Sequence, residues 1–275
     1  MDAGVRFAAL VTAPDGEVSL AETALTLAAD EYPNLDVPAG LRRLDALGRL
    51  ARERVIGGMG TDAAAGALNT LLFLEEGFRG NREDYYDPRN SFLNDVLDRR
   101  LGIPITLSIL YIEVAARAGV TVRGIGLPGH FVVRLEHGGA ARLLDPFDAG
   151  TILSEADCHA LARRVHGADV PFDPAYMAPV TTRQILARML LNLKAIYARQ
   201  QDWPRALRVT DRLRVLTPGA VGEIRDRGLI RAHMGARPAA IRDLERYLRE
   251  APEAPDAREV RERLRALRLA QATLN

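Results

Sequence analysis

His130 and Asp145 are the residues of this chain whose types and spacing best suit chemistry. Pro128-Gly129 reads as a turn, and the apolar run Phe131–Leu135 after His130 reads as a strand. His137-Gly138-Gly139 marks the next turn, and Ala141–Leu144 reads as a further strand ending at Asp145-Pro146. Paired as a hairpin, the two strands bring positions 130 and 145 close across the sheet. An aspartate beside a histidine fixes the imidazole tautomer and stabilises imidazolium, which is the orienting pair of a nucleophilic triad. The plainer alternatives are a histidine bonded within a sheet and an aspartate forming a turn before Pro146.

Other polar residues yield less. Tyr85, Tyr86, Arg89, Asn90 and Asn94 fit either the lining of a pocket beside the pair or the polar scaffolding of a long loop, and for any one of them scaffolding is the simpler reading. Asp84-Tyr85-Tyr86-Asp87 lacks metal-ligand spacing and there is no His-rich motif, so no metal is expected. Gly57-Gly58-Met59-Gly60 lacks the Lys and Ser/Thr of a phosphate-binding loop, and no cofactor is expected. Cys158, the only cysteine, sits at a helix start beside His159 and reads as a small buried thiol that fills space.

The elements that position these residues are mostly helical at first. Ser19-Leu20-Ala21-Glu22 fits a capping box whose helix ends before Pro33. A second helical pattern starts at Pro38, and a third spans Thr61 to Phe78, punctuated by Gly77 and Gly80. Residues 81–90 read as an ordered loop, followed by a short helix over Ser91–Arg99. Ile105–Ala118 is apolar on almost every side, the mark of a central, buried helix. Strands follow over Val120–Leu127, Phe131–Leu135 and Ala141–Leu144, and Ser154 caps a last helix before a linker over Pro171–Pro179.

From about residue 181 the pattern changes to helix–turn–helix. A shift of 34 residues maps Pro204 onto Pro238, Ala206 onto Ala240 and Pro218 onto Pro252, the period and punctuation of a tetratricopeptide repeat. Two repeats fit, with Arg258–Leu269 as a capping helix; Arg227 and Arg231 depart from the pattern by standing where apolar residues are usual. Charge changes at the same place. Residues 1–180 hold 17 basic and 25 acidic residues, net −8, and residues 181–275 hold 20 and 11, net +9. Dispersed arginines argue for solvated helix faces over nucleic-acid binding. No apolar run of about eighteen residues is present, so no membrane helix is expected. The start, Met1-Asp2-Ala3-Gly4, has no basic segment leading into an apolar one, so no signal peptide is expected. A lone cysteine suits a reducing cytoplasm.

Five motifs carry a family resemblance. They are Phe78-Arg79-Gly80-Asn81, Tyr86-Asp87-Pro88-Arg89-Asn90-Ser91-Phe92-Leu93, Gly102-Ile103-Pro104-Ile105-Thr106-Leu107-Ser108, Gly126-Leu127-Pro128-Gly129-His130-Phe131 and Leu144-Asp145-Pro146-Phe147. Through them the chain resembles the transglutaminase-like and tetratricopeptide-repeat proteins labelled as invasion regulators of the SirB type. The resemblance implies an α+β class: a papain/transglutaminase-like core with a helical N-terminal part and a small antiparallel sheet over residues 1–178, then an all-α tetratricopeptide-like array over 179–275. It also implies a nucleophile at the N-terminus of the central helix, where the dipole and backbone amides lower a thiol's pKa. Here that stretch, Pro104–Ser108, holds no thiol, and Thr106 and Ser108 are the hydroxyl candidates. Cys158 follows both His130 and Asp145, the wrong order for this nucleophile. The function expected is therefore a degenerate, non-catalytic module that binds a protein or peptide through its cleft or its repeats. The alternative is a hydrolase or acyltransferase with a hydroxyl nucleophile, His130 as base and Asp145 as orienter.

Overall fold

A computed structural model describes residues 3–166 and 172–272. The chain divides into two compact units, Met1–Met189 and Leu190–Asn275. The division falls inside the first helix after the expected linker, whereas the family resemblance places it at 178/179. Pro171, where that linker was expected to begin, lies outside the described residues, as do Met1 and Asp2.

The first unit opens with helices α1 (Ala3–Leu10), α2 (Leu20–Ala28), α3 (Val37–Arg54) and α4 (Thr61–Asn69). No pattern announced α1, which is short and buries chiefly Phe7. Ser19 caps α2 by accepting from the Glu22 amide, but the expected reciprocal bond is replaced: the Glu22 carboxylate takes Arg6 of α1 at 2.9 Å. Nor does α4 run to Phe78. After Asn69 it widens into a π-helical stretch, Thr70–Glu75, which buries the consecutive side chains Leu71, Leu72 and Phe73.

Strand β1 (Arg79–Gly80) and strand β2 (Leu101–Gly102) form a short parallel pair that ties off the loop between them and helix α5 (Leu93–Arg99). The central helix α6 (Pro104–Arg117) follows. Ten of its residues are buried, and it packs on α2, α3, α5 and the main sheet, as its all-round apolar surface requires.

The main sheet is antiparallel, ordered β3 (Thr121–Ile125), β4 (Val132–His137), β5 (Ala140–Asp145) and β6 (Thr151–Leu153). The hairpin register pairs Val133 with Leu144 and His137 with Ala140. β4 starts at Val132, so His130 ends the preceding turn rather than opening the strand. The cause is local: Gly129 takes φ +68° and the His130 amide turns back to the Leu127 carbonyl at 3.2 Å. Helix α7 (Glu155–His166) starts at Ser154, whose hydroxyl accepts from the Asp157 amide at 3.2 Å.

The helices from α8 onward are α8 (Thr182–Arg199), α9 (Trp203–Leu216), α10 (Gly222–His233), α11 (Arg237–Glu250) and α12 (Ala257–Ala272). A shift of 34 residues carries α9 onto α11 end to end. Pro204 and Pro238 occupy the first turns of these helices, where a missing N–H is harmless, and Ala206 and Ala240 are fully buried. α10 meets α11 so closely that a Cβ on Gly228 would stand 2.7 Å from Leu244. The two departures from the repeat pattern share one partner: Arg227 and Arg231 both reach the buried Asp243, at 2.6 and 2.7 Å. Among the described residues, no helix is long and apolar enough to cross a membrane.

Candidate functional site

The hairpin brings the expected pair together. His130 Nε2 lies 2.8 Å from Asp145 Oδ2, with side-chain exposures of 15% and 7%. The other carboxylate oxygen, Oδ1, accepts the Phe147 amide at 2.9 Å, and the Asp145 carbonyl accepts the Gly150 amide at 2.8 Å. Both oxygens are thus satisfied, as burial of a carboxylate demands. Asp145 serves both roles weighed for it, turn former and partner of His130. With Nε2 held, Nδ1 is the ring nitrogen left without a protein partner among the described residues, and it can exchange a proton or a hydrogen bond with a ligand.

The helix start opposite holds no comparable group. Thr106 Oγ1 donates to the Asn90 carbonyl at 2.6 Å and accepts the Ile103 amide at 3.1 Å. It ties α6 to the preceding loop and satisfies an orphan amide of the first turn. Ser108 Oγ is fully buried and has no hydrogen-bond partner among the described residues. Neither hydroxyl bonds His130.

Cys158 lies in a small apolar cluster with Ile125, Leu127 and Val132. Burial, and then the carboxylates of Asp157, Asp145 and Glu155, push its thiol up to about 11. At pH 8 it should remain a thiol, so iodoacetamide should label it only when the protein is unfolded by denaturant. Mass spectrometry of native and denatured samples reads this directly; full labelling of the native protein would contradict the burial.

The loop before α5 is mostly scaffolding. Asn90 is fully buried: its amide donates to the Asp84 and Tyr85 carbonyls at 2.7 and 3.3 Å, and its oxygen accepts from Asn81 at 3.0 Å. Arg89 turns back onto Asp87, joined there by Arg99 at 3.0 Å. Burial raises the Asp87 carboxyl, but the Arg89 side-chain and backbone bonds and the nearby guanidinium charges hold it below the ordinary range. Asn94 keeps a buried oxygen with no partner among the described residues.

Tyr86 and Tyr85 contribute differently. They continue an edge-to-face aromatic series that reaches the site: Tyr86–Tyr85 at 5.3 Å, Tyr85–Phe147 at 6.0 Å and Phe147–His130 at 6.1 Å between centroids. Phe147 gains its place because Gly80 has no side chain; a Cβ there would lie 2.6 Å from the ring. Neither Phe147 nor Arg188, whose Nη2 approaches the Leu127 carbonyl at 3.5 Å, stood out as a site residue in the sequence. Phe147 was visible only as part of a motif. Arg188 lies on α8, beyond the linker, with no local signal connecting it to His130. Among the described residues no group of three or more His, Cys, Asp or Glu side chains is placed to hold a metal ion.

Comparison with known proteins agrees with this architecture. Residues 39–191 match the transglutaminase-like superfamily model and residues 193–265 a tetratricopeptide-repeat model. A UPF0162 protein of Xylella fastidiosa is 39% identical over 246 residues, covering 88% of each chain. A UPF0162 protein of Vibrio cholerae is 33% identical over 187 residues, covering 68% of this chain and 69% of its own. Human F-box only protein 21 is 33% identical over 142 residues, which span 49% of this chain and 22% of that protein. No solved structure matches. With a transglutaminase-like core, repeat helices after it and a relative 39% identical over 88% of its length, the chain belongs to the UPF0162 family of transglutaminase-like, tetratricopeptide-repeat proteins.

Proposed function

We propose that this chain is a binding or regulatory protein whose transglutaminase-like core no longer performs thiol-based acyl transfer. Its cleft beside His130 and Asp145, together with its repeat helices, recognises a protein or peptide partner in the cytoplasm. The observation that carries this reading is the start of α6. No thiol stands there, and the Thr106 hydroxyl is committed to the Asn90 and Ile103 backbone. Losing that clamp would leave a buried carbonyl and a helix-start amide unpaired.

A second reading keeps chemistry, and one observation favours it: the unpartnered Ser108 hydroxyl coexists with an intact His130–Asp145 pair. The two readings part in one experiment. The full chain is given p-nitrophenyl acetate, and a glutaminyl peptide with an amine, alongside His130→Ala and Ser108→Ala variants. The binding reading expects wild type and both variants to turn over no faster than free imidazole. Turnover abolished by both substitutions would replace it with hydroxyl catalysis. Quantitative affinity capture, with Asp145→Asn and wild-type chains compared, then tests the cleft; a partner held equally by both would remove the cleft from recognition.

A further inference from the structure

Arg188 is the exceptional cation of the first unit. Among the described residues it makes no ion pair, although it is half-buried. Its one protein bond, to the Leu127 carbonyl at 3.5 Å, is long. That same carbonyl accepts the His130 amide at 3.2 Å, so the guanidinium is anchored one turn from the imidazole. Tyr85 is within electrostatic range of the same guanidinium, and burial raises its phenol. Its hydroxyl therefore stays a neutral donor, and it has no protein acceptor among the described residues. Two donors thus lie near the imidazole with no carboxylate bonded to either among the described residues: the Arg188 guanidinium and the Tyr85 hydroxyl. A guanidinium held out of bulk water with most of its five donors unused is poised for an anionic partner.

We infer that the cleft beside His130 takes a ligand carrying a carboxylate, which Arg188 holds with help from the Tyr85 hydroxyl. This rests on reading the His130–Asp145 surface as a ligand cleft. A carboxylate is favoured over a phosphate by charge. A single arginine neutralises one negative charge, and with Asp145 nearby and net −8 over residues 1–180, a second charge on the ligand would be repelled. The Phe147–Tyr85 wall provides an apolar surface for the body of the ligand beside its carboxylate.

Protection of Arg188 from phenylglyoxal tests this in the intact wild-type chain. Adducts are located by peptide mass mapping, with Arg258, 91% exposed, as the reference arginine. N-acetylphenylalanine should slow modification of Arg188 and leave Arg258 unchanged; its amide should not slow either. N-acetyl-aspartyl amide separates the two sources of the group: stronger protection by it assigns a side-chain carboxylate, and stronger protection by N-acetylphenylalanine a chain end. No protection by either acid, equal protection by the amide, or stronger protection by inorganic phosphate would overturn the assignment. In Arg188→Gln, binding of the better acid followed by NMR should weaken at least about tenfold, the loss of one charge-assisted pair. Arg188→Lys should recover part of it. Should Arg188→Gln not fold, the wild-type protection decides. Because no turnover is measured, acyl-transfer activity would refute the proposed function without touching this result, and unprotected Arg188 would do the reverse.

Discussion

Replacing Gly150 by alanine is expected to destabilise the first unit by about 2–4 kcal/mol, the sum of a strained backbone and a broken buried clamp. Gly150 has φ +73°, and a Cβ there would fall within the Asn69 carboxamide. That carboxamide has no room to yield. Its nitrogen donates to the Gly150 carbonyl at 2.8 Å and its oxygen accepts the Tyr111 hydroxyl at 3.1 Å. Tyr111 is fully buried at the centre of α6, so moving Asn69 strands a hydroxyl that water cannot reach. The damage extends to the site, because the Gly150 amide holds the Asp145 carbonyl. Thermal and urea unfolding measure the loss. Asn69→Ala should relieve the overlap, so the double variant should lose less than the sum of the single ones. Simple additivity would show that the two residues do not collide.

Asp243→Ala should be still more costly in the repeat unit, about 3–5 kcal/mol, the usual penalty for stranding a buried charge. Arg227 grips Asp243 with two bonds of 2.9 and 2.6 Å, Arg231 adds a third at 2.7 Å, and the carboxylate is 6% exposed. Removing it leaves Arg231 without its acid and Arg227 with Asp211 alone, at 3.3 Å, among the described residues. Converting all three residues to leucine should restore much of the loss, because apolar residues of similar volume avoid the desolvation of the charges. Urea titration followed by far-ultraviolet circular dichroism compares the variants; a single substitution costing under about 1 kcal/mol would mean that water already screens the cluster.

The same cluster illustrates how far the chain could be read before its fold was known. The 34-residue period placed α9 and α11, since proline at a helix start and alanine at a tight contact are local requirements that recur in the sequence. Arg227 and Arg231 looked like departures because their partner, Asp243, lies on the next helix and pairs with them only once the helices pack. α6 was legible from its all-round apolar surface, and the hairpin from its turns and alternation. The boundaries were less so: α4 gave way to a π-helical stretch, and β4 began beyond His130 because the left-handed Gly129 and the bond from the His130 amide to Leu127 extend the turn.

At the site, chain order and turn residues were enough to pair His130 with Asp145, since a hairpin brings residues on either side of its turn together by a local rule. The absence of a thiol at the start of α6 was equally plain, because it is a matter of which residues are there. Tertiary structure alone decided what surrounds them. It committed Thr106 to the backbone, set Phe147 against His130 through the gap left by Gly80 and brought Arg188 from α8 to the carbonyl that His130 also uses. These contacts join residues far apart in the chain, and no periodicity or short motif encodes which distant side chain will fill a given space.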